Sequence, residues 1–301
     1  MRPVMPGMFC RHNRLTSKCP ICSKELEAQL PKPPPRTRAP ARAGSRSTRP
    51  ARPARAGGVV TRRIARAADD GYRNPLVPGL RAGADAERLA GAIAAAAARI
   101  EAPGPYPEVA DQPGVEDATW LAFLLALAGP EAPDLQAALR AAPPRWADGV
   151  APDLPPERAR TAEAYRAWVA RAGSQQAAFT GEAAWTPERR FGRVFERLAL
   201  PGFGRAPRFE LLVALGAAGV YELTADGLHF IEDDATTLAA KRLLVSGDRM
   251  LLDRRARELA EACAVPLAAL DRALAVWGTP GERVDLTAEA PGAVRAALRL
   301  R

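Results

Sequence analysis

The chain has 301 residues, 48% of them hydrophobic, enough for one large domain or two small ones around a well-developed core. Its formal charge of +9 is unevenly spread: residues 1–30 carry +3, residues 31–68 carry +11, and residues 69–301 are left at −5. The folded body is mildly acidic, so overall basicity does not by itself argue for a nucleic-acid-binding fold.

Residues 1–30 hold three of the four cysteines and one of the two histidines, as Cys10, His12, Cys19 and Cys22. The spacing C-x-H-x6-C-x2-C supplies three thiolates and one imidazole, a complete tetrahedral shell for a structural zinc. A segment with so little apolar surface would draw most of its folding energy from the metal. This clustering is unlike a secreted disulfide framework. No apolar leader follows Met1, and the most apolar run, Trp120–Ala128, is far shorter than the roughly 20 residues that span a bilayer. A reducing, cytoplasmic setting without membrane contact is expected.

Residues 31–70 are rich in Pro, Arg, Ala, Gly and Ser. They cannot bury enough surface to offset chain entropy and read as a disordered basic linker. Ten arginines and no acid in residues 31–68 would follow a phosphate backbone with strongly salt-dependent affinity. Against this, the whole chain prefers Arg over Lys by 39 to 4, so the bias is not local to the linker.

Residues 71–301 read as all-α, with about nine helices. One face is marked by Leu89, Ile93, Ala97 and Ile100. Trp120–Leu127 is apolar nearly all round, as in a buried helix. Tyr165, Trp168, Val169 and Ala172 mark another face. Phe191, Val194, Phe195 and Leu198 follow, then Phe209, Leu212, Val213 and Gly216. Leu252, Ala256, Leu259 and Cys263 continue the series, and Leu267, Leu270, Leu274 and Trp277 end it. Val220–Leu223 is the best strand signal and is short. Pro187 suits the first turn of a helix running to about Ala199.

Leu200-Pro201-Gly202-Phe203-Gly204 then breaks the pattern, with the next helix starting near Ala206–Arg208. Gly202 and Gly204 allow positive φ and a tight turn with outward N–H groups, and the following helix N-terminus favours an anion. Such a unit clamps a phosphate without reading a base. A Gly-x-Gly turn is also a common helix connector. About thirty residues on, Asp233 and Asp234 open another helix. An aspartate there serves as an N-cap, as a catalytic acid, or as both.

The hairpin and the downstream acid together make residues 115–280 resemble the helix-hairpin-helix DNA glycosylase superfamily. The resemblance implies an all-α, two-lobed fold whose cleft receives a nucleotide flipped from DNA. It implies DNA contacts from Leu200, Pro201, Gly202, Phe203, Gly204 and Arg205, and a catalytic acid at Asp233 or Asp234. The family's lyase lysine is missing after the hairpin, where Arg205-Ala206 stands, so Schiff-base chemistry is not expected. No four-cysteine cluster follows the acid, and Cys263 reads as core. The glutamine wedge is also missing; Gln175 and Gln176, read as a loop before Trp185, are its nearest substitutes. His229 reads as cleft-facing or as partly buried structure.

These departures make the chain similar to an offshoot of that scaffold, the alpha-glutamyl/putrescinyl thymine pyrophosphorylases. The resemblance implies replacement of a pyrophosphate on a hydroxymethylated pyrimidine in DNA by an amine-bearing group. The expected function is thus DNA-base-directed: a monofunctional glycosylase or a related base-modifying enzyme. The alternatives are a non-catalytic zinc- and nucleic-acid-binding protein on a degenerate fold, and a module whose helices serve a protein partner.

Overall fold

A computed structural model describes residues 67–149, 153–279 and 290–300. The proposed zinc ligands Cys10, His12, Cys19 and Cys22, and all but the last residues of the 31–70 linker, lie outside them. The described residues form eleven α-helices and no strand. They are α1 (Gly83–Ile100), α2 (Val115–Ala128), α3 (Pro133–Ala141), α4 (Pro156–Ala172), α5 (Gln175–Thr180) and α6 (Pro187–Arg197). After these come α7 (Arg205–Ala217), α8 (Ala235–Leu244), α9 (Arg249–Ala262), α10 (Leu267–Gly278) and α11 (Gly292–Ala297). That is two more than the expected nine; the sequence pattern marks no face for α3, α5 or α11. No described helix is long and apolar enough to cross a membrane.

The helices pack as two groups. In the first, α2 lies against α3, α4, α5 and α7. Every residue from Ala118 to Ala128 is buried, as the all-round apolar pattern requires. Its rings build an aromatic cluster: Phe123 stacks on Tyr165 at 3.9 Å, Trp120 on Phe123 at 5.5 Å, and Arg166 lies over both Trp120 and Trp146 at 4.6 Å. In the second group, α10 packs along α1 and α8, and α9 and α11 close the end. Small residues allow this closeness. A Cβ added at Gly278 would stand 2.8 Å from the Ala239 Cβ, and α1 presents Ala86, Ala90 and Ala94 among its buried residues. Cys263 caps α9 inside this core, where burial pushes its thiol up to about 11, as befits an inert core cysteine.

Three expectations change. Val220–Leu223 is irregular, because Val220 and Tyr221 turn their N–H groups back to Leu215 O as α7 ends, and Tyr221 then bonds Thr119 and stacks on Phe179. Gln175 lies in α5 rather than in a loop and is fully buried. Its amide donates to Glu116 O at 2.7 Å and accepts from the Tyr165 hydroxyl at 2.6 Å, so it cannot serve as a wedge. Gly204 has φ −67°; only Gly202, at +75°, uses the left-handed region.

Candidate functional site

α6 begins as the sequence implies, with Thr186 accepting from Arg189 N–H and Pro187 at its first position. It ends at Leu198, and the turn closes through Phe203 N–H to Leu200 O at 3.0 Å. Phe203 is buried and meets Phe123 at 5.1 Å, so the hairpin is pinned to the aromatic cluster by its central side chain. Pro201 and Gly202 are exposed, and Leu200 is half-buried. The Thr161 hydroxyl of α4 donates to Pro201 O at 2.9 Å. Among the described residues no protein acceptor stands against the N–H of Gly202 or Gly204.

Gly202 is required twice over, by its positive φ and by the 2.4 Å that would separate an added Cβ from Thr161 Oγ1. Gly202→Ala is expected to lower stability by about 1–3 kcal/mol. Urea denaturation should show a reduced midpoint at unchanged slope; an unchanged midpoint would mean that the hairpin is not held as described.

Arg205 opens α7 and is fully buried. Its Nε donates to Asp234 Oδ2 at 2.5 Å, Nη1 to Leu228 O at 2.6 Å, and Nη2 to Asp271 Oδ1 at 2.7 Å. Burial alone would pull the guanidinium down, but the charges of Asp271 and Asp234 hold it above its ordinary value. Burial pushes the Asp271 carboxyl up, and Arg205 offsets this in part. The residue expected to reach DNA therefore points inward: with every guanidinium nitrogen bonded inside the protein, the Arg205 side chain is a tie between the two helix groups. α7 supplies the arginine, α8 and α10 the acids.

The two candidate acids part ways. Asp234 caps α8, its Oδ1 accepting from Thr237 N–H at 2.8 Å while Oδ2 takes Arg205, so both oxygens are engaged. Asp233 is exposed and pairs with Lys241, whose hydrogen bond holds its carboxyl below the usual range. Neither lines the open cleft of about 500 Å³ at the hairpin. That cleft is bordered by Leu200, Gly202, Phe203, Gly204, Arg208 and Glu232.

Glu232 is the acid that the sequence reasoning missed. Its Oε2 accepts from Arg205 N–H at 3.2 Å and its Oε1 from Arg208 Nη2 at 3.1 Å. The carboxylate thus sits at the N-terminus of α7, a position that favours an anion. Gly204 makes room for it, since an added Cβ would lie 3.0 Å from Oε2. Arg208 is nearly buried, lies over the Phe195 ring at 4.8 Å, and is lowered by burial, with Glu232 restoring part of the loss. His229 stacks on Phe195 at 4.3 Å and bonds Asp226 at 2.8 Å, a partly buried structural placement at φ +50°. The only sequence signal for Glu232 was its position one residue before the aspartate pair.

No group of three or more His, Cys, Asp or Glu able to hold a metal occurs among the described residues. A search of the curated proteins and of the solved structures finds no match. Residues 149–284, from just before α4 to just past α10, are similar to the family described as alpha-glutamyl/putrescinyl thymine pyrophosphorylase clade 3; the hairpin, Arg205, Arg208, Glu232, both aspartates and Asp271 all fall within the match.

Proposed function

We propose that this chain is a DNA-base-directed enzyme of the thymine-pyrophosphorylase type, with the 200–204 hairpin as its phosphate anchor. The observation that carries the reading is the hairpin cleft, where a positive-φ glycine turn, a helix N-terminus, a buried arginine and a carboxylate meet. In the proposed reaction an amine nitrogen bonds to the exocyclic methylene of a modified pyrimidine. The carbon–oxygen bond to pyrophosphate breaks, pyrophosphate leaves with the electron pair, and the nitrogen gives its proton to the Glu232 carboxylate. Glu232 is the carboxylate at the cleft and Asp234 acts as a positioning residue through Arg205, while Asp233 pairs with Lys241 outside the cleft lining. The similarity over residues 149–284 supports this reaction class over base excision. The missing lyase lysine argues only against the Schiff-base form of base excision, and Lys241 is already paired with Asp233.

The test is incubation of the full chain with duplex DNA carrying a pyrophosphorylated hydroxymethylpyrimidine and with putrescine or glutamate. Pyrophosphate release and a mass-shifted nucleoside are expected, and both should vanish in Glu232→Gln. Absence of product with every amine tried, alongside salt-dependent DNA binding, would favour the second reading, a non-catalytic DNA-binding protein. The engagement of both Asp234 oxygens is the observation on that side. For the N-terminal segment, Cys10, His12, Cys19 and Cys22 are proposed to hold one structural zinc. Native mass spectrometry should show one zinc per chain, lost in Cys19→Ser/Cys22→Ser.

A further inference from the structure

Away from the hairpin, a second and more enclosed cavity of about 40 Å³ lies between the segment before α1, α8 and α10. It is lined by Leu80, Arg81, Asp85, Arg88, Arg242 and Trp277. Three arginines and one aspartate line it, leaving a net charge of two positive units. Arg88 Nη2 meets Asp85 Oδ1 at 3.3 Å, and its guanidinium lies 5.6 Å from the Trp277 ring centre. Its Nε is buried with no acceptor, an unmet donor that calls for an explanation. Arg81 and Arg242 make no ion pair and no side-chain hydrogen bond among the described residues. Asp69, an acid that feels the Arg81 charge, is already bonded by Arg73.

The wall that brings these arginines together is rigid. Gly79 N–H bonds Leu243 O at 2.8 Å, and a Cβ at Gly79 would stand 1.8 Å from Arg242 O, so the chain before α1 is locked backbone to backbone on α8. Trp277 Nε1 donates to Asp85 O and fixes α10 against α1. Like charges held together on a fixed frame repel unless an anion joins them. The free volume equals about three water-sized spaces, room for one tetrahedral oxyanion. Guanidinium groups are the side chains best shaped to bond its oxygens.

We propose that this cavity binds a single phosphate group. Its source is either a free phosphate-bearing small molecule or a backbone phosphodiester of DNA. The site is independent of the hairpin and does not depend on the proposed reaction.

The experiment titrates inorganic phosphate into the full-length protein by calorimetry, with ionic strength held constant by chloride. Saturable one-site binding is expected, weakened at least tenfold in Arg81→Met/Arg242→Met. Both side chains are exposed, so this variant should keep the wild-type circular-dichroism spectrum. Arg145→Met/Arg249→Met removes the same charge from exposed arginines that do not line the cavity and should bind phosphate as wild type does. Non-saturable heats, or equal affinity in Arg81→Met/Arg242→Met, would overturn the proposal and place any phosphate elsewhere, the hairpin included. A second arm identifies the source. If the ligand is backbone phosphate, Arg81→Met/Arg242→Met reduces the slope of log K against log salt for duplex DNA by about one. If it is a free phosphate-bearing molecule, that slope is unchanged while phosphate binding is lost.

Discussion

Replacing Arg205 with Met should cost about 3–5 kcal/mol of stability. The guanidinium is fully buried and joins Asp234, Leu228 O and Asp271 across the two helix groups. Without it, Asp271 is left as an uncompensated charge between α10 and α7. A loss of this size is a large share of the 5–15 kcal/mol that holds a typical domain folded. The variant should also respond to pH in a diagnostic direction. Burial already raises the Asp271 carboxyl while Arg205 opposes the rise. A carboxyl whose folded pKa lies above its unfolded value binds its proton preferentially in the native state. Its contribution to stability therefore grows as pH falls through the window between the raised value and the ordinary 3.8. Removing Arg205 widens that window upward, so the deficit of Arg205→Met should shrink between pH 7.5 and pH 5.5. Urea midpoints at the two pH values check this, and a deficit that is small, or equal at both, would contradict the burial described. Adding Asp271→Asn and Asp234→Asn should restore part of the loss, because Asn keeps the α8 cap while removing the stranded charge.

How much of this was legible in the sequence follows from the kind of signal each feature leaves. Periodicity revealed the helices because burial imposes it directly: Leu89 and Ile93, Phe191 and Phe195, Leu270 and Leu274 all face the core. Punctuation revealed the hairpin, since only glycine tolerates what Gly202 does. The partners of polar groups were not legible, because pairing depends on which elements meet in space. Arg205 looked like a DNA contact because it follows the hairpin. Only the placement of α8 and α10 turns it inward to Asp234 and Asp271, the latter 66 residues away. Gln175 looked like a loop residue until α2 supplied Glu116, 59 residues earlier, as its partner. Glu232 left no pattern of its own, since a carboxylate one residue before two aspartates reads as part of the same acidic turn. Its difference lies in bonding Arg205 N–H and Arg208 at the start of α7, while Asp234 caps α8 and takes the Arg205 side chain.

That difference sets the sign of the second large effect. A carboxylate at the N-terminus of α7, bonded to Arg205 N–H and to Arg208, is an anion in an anion site. On the proposed function, a DNA phosphate arriving at the hairpin must displace it, and the displaced charge then lies beside the incoming one. Glu232→Gln removes the competing charge while keeping the side chain's size, so DNA binding should tighten by roughly tenfold, or about 1.4 kcal/mol, at constant salt. Glu232→Ala should tighten it as well, whereas Asp233→Asn, at an exposed site already paired with Lys241, should change it little. Turnover should move the opposite way, because the same carboxylate is the acid at the cleft. The expected signature of Glu232→Gln is thus tighter DNA binding with lost product formation, read by fluorescence anisotropy and by pyrophosphate release on one preparation. Weaker DNA binding in Glu232→Gln would mean that Glu232 supports the hairpin instead of occupying its phosphate position. Unchanged binding would mean that phosphate does not enter at α7. A variant that binds tighter and still turns over would keep the anchor and remove Glu232 from the chemistry, leaving Asp233 and Asp234 as the acids to test.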